Sequence, residues 1–385
     1  MAKILVVCNF LVPPVNAGSC KCVDAYVQLL KKLGHEVYIL YSGRESEERI
    51  GIARGYWGNY FLYYKYSNFL RLSNWIKRNL IYLFTREYSI GYYYPVYGLS
   101  RYVNKLHQNI SFDSIIINYI WMTPLLKHIN IKHKILFTHD CFTNKKERIK
   151  QELYSLTPKQ EARGLNRADT LLSIQDTESA FFRFLVPNKP IFTVYMPIDF
   201  HKQIVNQNNV ILFFSGDSEL NRNGLNYFLN EVFETVILNH PSVKLIIGGG
   251  ICKNLKIDNK HIELLGFIDD VDSFYSLGNI VINPVYQGTG LKIKTLEAIS
   301  YGKVVIVHPH SVEGLYDKEN APVCVAFSSQ KFVEHVNIAL DGNVDMVQHT
   351  IVCEEYINKM NNYIYSQYSK VKFGKRPILT PCHEV

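Results

Sequence analysis

Between Asn283 and Leu315 the chain sets glycines, cations and a carboxylate at spacings that suit an anion. The run reads Asn283-Pro284-Val285-Tyr286-Gln287-Gly288-Thr289-Gly290-Leu291-Lys292-Ile293-Lys294-Thr295-Leu296-Glu297-Ala298. It continues through Gly302-Lys303-Val304-Val305-Ile306-Val307 and reaches Glu313-Gly314-Leu315. Gly288 and Gly290 let the backbone come close to a ligand and turn its amides toward it. A helix starting near Leu291 adds free N–H groups and the positive end of its dipole. Lys292 and Lys294 bring formal charge to the same place, and such a seat suits a diphosphate. Glu297 falls in the next turn, where a carboxylate can accept hydrogen bonds from ribose hydroxyls. The glycines alone read equally well as an ordinary turn with solvated lysines.

The flanking elements have the periods such a site needs. Ile280, Val281 and Ile282 predict a buried strand, the stretch from about Leu291 to Tyr301 an amphipathic helix, and Val304 to Val307 a second buried strand. That is a β-loop-α-β unit of a parallel sheet, whose ligands sit beyond the C-terminal strand ends.

In this order, Gly288-Thr289-Gly290-Leu291-Lys292-Ile293-Lys294 with Glu297-Ala298, Gly302 and Glu313-Gly314-Leu315 resembles the nucleotide-sugar loop of glycosyltransferase family four. The resemblance implies an α/β GT-B fold, two Rossmann-like doubly wound domains facing across a cleft. It also implies donor binding through Thr289, Gly290, Leu291, Lys292, Lys294 and Glu297. Many relatives carry a glutamate where this chain has Thr289, so the donor sugar does not follow. A branch without that glutamate uses basic residues in this loop, as Lys292 and Lys294 would do.

The rest of the chain supplies further candidates. A first β-loop-α-β unit runs from Ile4 through a helix at roughly Cys20 to Leu33 and a strand at Val37 to Leu40. In it Gly18 matches the family glycine that lies against the donor phosphates. Strands at Phe112 to Asn118 and Lys134 to Phe137 follow, and Thr138-His139-Asp140 stands directly beyond the second. The resemblance implies that His139 faces the donor sugar; Asp140 would fix its tautomer or cap the next segment. Lys145 to Ala168 reads as one helix with a pause near Pro158, and its Glu161 resembles the family's acidic helix. Asp176 would cap a helix to Phe184. After a strand at Val210 to Phe214, a loop from Gly216 to Asn223 precedes a helix from Gly224 to Leu238. Relatives often place an arginine after this glycine; here Asp217 stands there, and Arg222 is the remaining diphosphate cation beside Gly216. Near Phe267 the family's backbone meets the nucleotide base. Asp269-Asp270-Val271-Asp272 contains a triplet of the kind that holds a metal in other transferases, but it reads better as a helix cap.

The resemblance divides the chain at an interdomain linker, Met196-Pro197-Ile198-Asp199. An acceptor-side domain spans 1–195 and a nucleotide-sugar domain 196–350, and a last helix over 351–370 crosses back. Its 385 residues suffice for two cores, and 47% hydrophobic with 20% charged residues excludes a disordered chain. No apolar run reaches the roughly 20 residues of a membrane span, and no signal peptide is evident, so the eight scattered cysteines read as reduced thiols of a cytoplasmic protein. From Arg54 to Lys105, tyrosines alternate with basic residues and Glu87 is the one acid. That mixture suits the inner face of an anionic membrane; nucleic acid is not expected as a partner.

The resulting expectation is an enzyme, a bacterial cytoplasmic glycosyltransferase, peripheral on the membrane. It would move a hexose or related sugar from a nucleotide-diphosphate sugar to a glycan or lipid-linked acceptor in capsule, lipopolysaccharide or other surface polysaccharide assembly. By the resemblance it retains anomeric configuration and needs no metal or other cofactor. His139, Lys292 and Arg222 would serve catalysis, the cations by stabilising the leaving diphosphate. A nucleotide-sugar hydrolase or epimerase of the same fold stays open, as does an inactive nucleotide-binding regulator. An NAD-dependent oxidoreductase is excluded, because Asn9 to Ser19 lacks the Gly-x-Gly-x-x-Gly turn.

Overall fold

A computed structural model describes residues 1–13, 18–85, 96–149, 155–203, 205 and 209–374. The chain divides into two units, Met1–Pro197 with Ile364–Val385, and Ile198–Tyr363.

The first unit is built on a seven-stranded sheet: β1 Lys3–Cys8, β2 Glu36–Gly43, β3 Phe61–Lys65, β4 Ser114–Asn118, β5 His133–Phe137, β6 Thr170–Ser173 and β7 Ile191–Thr193. Its order is β3-β2-β1-β4-β5-β6-β7, and every neighbouring pair is parallel. The second unit repeats the plan with β8 Val210–Phe214, β9 Lys244–Gly248, β10 Ile262–Gly266, β11 Ile280–Asn283, β12 Val304–Val307 and β13 Val323–Val325, in the order β10-β9-β8-β11-β12-β13. Both sheets reverse direction of growth beside their first strand, between β1 and β4 and between β8 and β11. Ligands of open parallel sheets bind at such a point. The central strands are buried on both faces, as parallel sheets require; β4 (Ser-Ile-Ile-Ile-Asn) and β12 (Val-Val-Ile-Val) are buried throughout, with polar residues only at the two ends of β4.

Several elements differ from the sequence expectation for local reasons. The expected helix from Lys145 to Ala168 is two helices, Lys145–Arg148 and Pro158–Leu165. Pro158 does not pause a helix but starts one, where its missing N–H costs nothing, and Thr157 and Gln160 close a capping box on it. The helix expected from Gly224 begins at Glu219, because the Ser218 side chain caps it by accepting from the Asn221 amide. Asp176 does not cap its helix; it accepts a 2.6 Å hydrogen bond from Tyr195. The helix after the glycine loop spans Ile293–Ser300, which leaves Leu291 and Lys292 outside its first turn. Of the tyrosine-rich stretch, residues 86–95 lie outside the described residues, as do Pro14 and Ala17 of the first loop and the tail beyond Gly374.

The last helix, Met346–Lys370, passes from one unit to the other: up to Tyr363 it belongs with the second, from Ile364 with the first. Ile364, Tyr368, Val371 and Phe373 are then buried in the first unit. The Phe373 carbonyl accepts from the Ser114 hydroxyl of β4, and its ring lies 5.2 Å from that of His35. We expect Phe373→Ala to cost about 3–5 kcal/mol. A chain ending at Tyr363 should lose the cooperative unfolding of the first unit, measured by calorimetry; an unchanged transition would show the segment to be dispensable.

Candidate active site

The second unit places the glycine loop at its switch point. The loop leaves β11 at Asn283 and enters the helix Ile293–Ser300, with Gly288 at φ +143° and Gly290 at φ +73°, both in the region that side chains avoid. Its walls are riveted. Asn283 Nδ2 donates to the Thr295 hydroxyl (2.9 Å), which donates to the Ser311 carbonyl (2.9 Å), while the Ser311 hydroxyl donates to the Val285 carbonyl (2.8 Å). Asn283 Oδ1 is buried and makes no hydrogen bond.

Lys294 crosses the switch point. Its ammonium donates to Ser215 Oγ, just beyond β8, and to Asn221 Oδ1 of the helix Glu219–Phe228, each at 2.6 Å. Burial pulls its pKa down to about 7, against the opposing pull of the Glu297 carboxylate. Lys292 lies lower on the loop, donating to the Gly290 carbonyl at 3.4 Å. Glu297 is buried and serves Tyr275, whose hydroxyl it hydrogen-bonds. Arg222 sits on the helix, not in a loop, and its guanidinium pairs with Asp217. Asp217 also accepts from the Asn254 amide. The aspartate that departs from the common pattern is thus matched by the cation beside it. Gly216 accepts from Asn221 (2.8 Å) through its carbonyl, and Phe267, after β10, is 64% exposed. Asp270 caps the helix Val271–Tyr275, and no group of three or more metal-ligating side chains occurs among the described residues.

Two residues here escaped the sequence reading. His308 and His310 follow β12 directly, at the edge where ligands sit, and that position was the available signal. The His310 amide donates to His308 Nδ1 at 3.1 Å. His308 packs edge-on against Tyr227 and Tyr286.

In the first unit, His139 stands beyond β5 with φ +60°, and Tyr119, beyond β4, has φ +72°. Such backbone is costly for residues with a Cβ and is often a mark of function. The imidazole is buried, stacked on Tyr119 with ring centroids 4.5 Å apart, and Tyr119 stacks in turn on Trp121 at 4.1 Å. His139 Nε2 lies 2.7 Å from Asn118 Oδ1. The Asn118 amide donates to the Val7 carbonyl at 3.1 Å, so its oxygen is the atom turned to His139, and Nε2 carries the proton. Burial lowers the His139 pKa to about 3. The imidazole is therefore neutral, with Nδ1 as its acceptor, and is unsuited to acid–base work near neutral pH. Asp140 does not set the tautomer; it pairs with Lys145 at 2.6 Å. Glu161, fully buried, holds the loop after His139 by accepting from the Phe142 (2.9 Å) and Thr143 (2.6 Å) amides. Gly18 opens the helix Gly18–Lys32.

Residues 208–341 match the family model of glycosyl transferases group 1. The chain has a GT-B glycosyltransferase fold. TarM of S. aureus superposes with a TM-score of 0.67 at 12% identity, covering 96% of each chain. Anabaena HepE, solved with UDP and glucose, superposes at 0.64 and 12% identity over 96% of this chain and all of its own (100%). The pneumococcal O-GlcNAc transferase GtfA, with UDP and GlcNAc, does so at 0.65 and 10% over 96% and 98%. A Klebsiella pneumoniae protein described only as an uncharacterized 44.6 kDa protein in a cps region is 24% identical, over 87% of this chain and 90% of its own.

The loop after β11 carries a pH prediction. A phosphate beside Lys294 supplies the negative charge that burial denies it, so the bound pKa lies above the free value of about 7. Protonation then favours binding, and affinity for a nucleotide sugar should fall as pH rises from about 7 to about 9. Lys294→Met should weaken binding and flatten that slope, read by calorimetric titration; an equal slope in the variant would remove Lys294 from the binding step.

Proposed function

We propose that this protein is a retaining, metal-independent glycosyltransferase of family four that moves a sugar from a nucleotide-diphosphate sugar to a glycan or lipid-linked acceptor. The observation that carries the reading is Lys294, a cation held by both walls of a switch-point loop, inside the stretch that matches the group 1 model. Lys292, Lys294 and the amides of the glycine loop stabilise the charge that develops on the departing diphosphate. Arg222 joins them once the incoming phosphate competes with Asp217. Thr289, Gly290, Leu291 and Glu297 line the donor, Gly18 and Gly216 give its phosphates close backbone approach, and the backbone at Phe267 meets the base. His139, neutral and with Nδ1 as acceptor, takes a hydrogen bond from a sugar hydroxyl. The chemistry then needs no dedicated base: the leaving phosphate takes the acceptor's proton as the new glycosidic bond forms.

Relatives solved with UDP support a uridine nucleotide as the donor's base, and the cps-region relative supports surface polysaccharide assembly. In a thermal-shift panel, a nucleoside diphosphate or its sugar should raise the melting temperature by mass action. EDTA should leave the shift intact, and Lys292→Ala with Lys294→Ala should abolish it. No shift with any nucleotide would sink the transferase reading.

The acceptor side points to a membrane surface. The helix Asn68–Thr85 presents Phe69, Leu72, Trp75, Ile76, Leu80 and Leu83 along one face, all 43–78% exposed. Its sequence holds Arg71, Lys77 and Arg78 and no acid, which matches an anionic lipid surface. No described helix is long and apolar enough to cross a membrane. The protein should co-sediment with phosphatidylglycerol vesicles at low salt, and Leu72→Glu with Leu80→Glu should release it. Equal recovery with and without vesicles for the wild type would refute the membrane contact.

A further inference from the structure

We propose that His310 is a phosphate ligand of the donor site and takes up a proton when the diphosphate arrives; this rests on the transferase reading above. Its Nε2 is buried and has no hydrogen-bond partner. A buried polar atom left in that state asks for an explanation, because nearly all find partners. The imidazole lies against the glycine loop: a methyl group on Gly288 would sit 3.6 Å from Nε2, in van der Waals contact. The atom that lacks a partner therefore faces the loop at the glycine whose backbone is turned to φ +143°.

The residue is held there by neighbours on both sides. His308 Nδ1 fixes the His310 amide, and the next residue, Ser311, bonds to Val285 and Thr295 across the loop. Its side chain is thus placed by the same contacts that shape the seat. The groups that act on it are Lys292 and His308, which oppose a proton there, and Glu313 and the Gly288 backbone, which favour one more weakly. Burial and Lys292 together lower its pKa to about 4, so in the free protein it is neutral. A phosphate oxygen beside Nε2 reverses the balance. It supplies the acceptor the imidazole lacks and the negative charge that offsets Lys292. The proton comes from solvent and forms an N–H bond on the imidazole's free lone pair; no other covalent bond changes.

The test is titration calorimetry at about pH 6, where Lys294 is already largely charged and His310 is not. A nucleoside diphosphate and its nucleotide sugar are titrated into the full chain, each in buffers of different ionisation enthalpy. His310→Ala should weaken the nucleoside diphosphate by roughly 10-fold or more, as expected for a hydrogen bond to a charged group. His310→Gln, which keeps a donor but cannot take the proton, should recover part of that affinity. It should also show less proton uptake than the wild type, a difference from which the ligand's own titration cancels. Without ligand both variants should unfold in one cooperative transition as the wild type does, so that any loss of affinity is read on folded protein. Unchanged affinity and uptake in His310→Ala would overturn the inference while leaving the transferase reading intact. So would a loss confined to the nucleotide sugar, which would put the imidazole on a sugar hydroxyl. A wild type that binds no nucleoside diphosphate would remove both.

Discussion

An ammonium group taken out of water must find acceptors, and Lys294 finds them on the opposite lip of its own sheet. That requirement couples the loop after β11 to the loop after β8. The hydroxyl of Ser215 and the amide of Asn221 accept the charge without neutralising it, which leaves the site short of a formal negative partner. Glu297 stands too committed to Tyr275 to supply it fully, and burial still dominates the ammonium's pKa. The arrangement is a cation held in position and incompletely compensated, a disposition that would favour an anion at little reorganisation.

The first unit solves a different problem with the same topology. Asn118 ends β4, and its side chain bridges β1, the Tyr26 hydroxyl (3.1 Å) and His139. One amide thereby decides which imidazole nitrogen faces outward from the network. The strained backbone at Tyr119 and His139 is offset by ring stacking that continues to Trp121. The second unit holds a buried cation beyond its strands, and the first holds a neutral, hydrogen-bonded imidazole beyond its own.

Much of this was legible in the residues. Strands buried on both faces are continuous apolar runs, so β1, β4, β8, β11 and β12 announce themselves, and with them the points where loops must carry chemistry. β3 did not, because Phe61-Leu62-Tyr63-Tyr64-Lys65 lies at the sheet edge and half-buried tyrosines blur its pattern. Side-chain partners were harder still. Nothing in the local sequence says that Arg222 will pair with Asp217, that Glu161 will hold the amides of Phe142 and Thr143, or that Asn118 will reach His139 across 21 residues. The last two are long-range geometric facts, set by which strand lies beside which; Arg222 and Asp217 are only five residues apart, and their pairing follows from the turn into the helix Glu219–Phe228. His310 was hidden for a related reason: a histidine after a proline looks like any turn residue until the sheet order puts it against Gly288.

The passage of the final helix from the second unit into the first bears on how the chain is made. Residues Met1–Pro197 leave the ribosome long before Tyr368, Val371 and Phe373 exist. Domains generally fold as they emerge, first part first. Here the first-synthesised sheet keeps an apolar surface uncovered beside β4 until Ile364 to Phe373, made after the whole second unit, can cover it. The nascent first unit is therefore open to aggregation until then, and its completion reports that the second unit has already been translated.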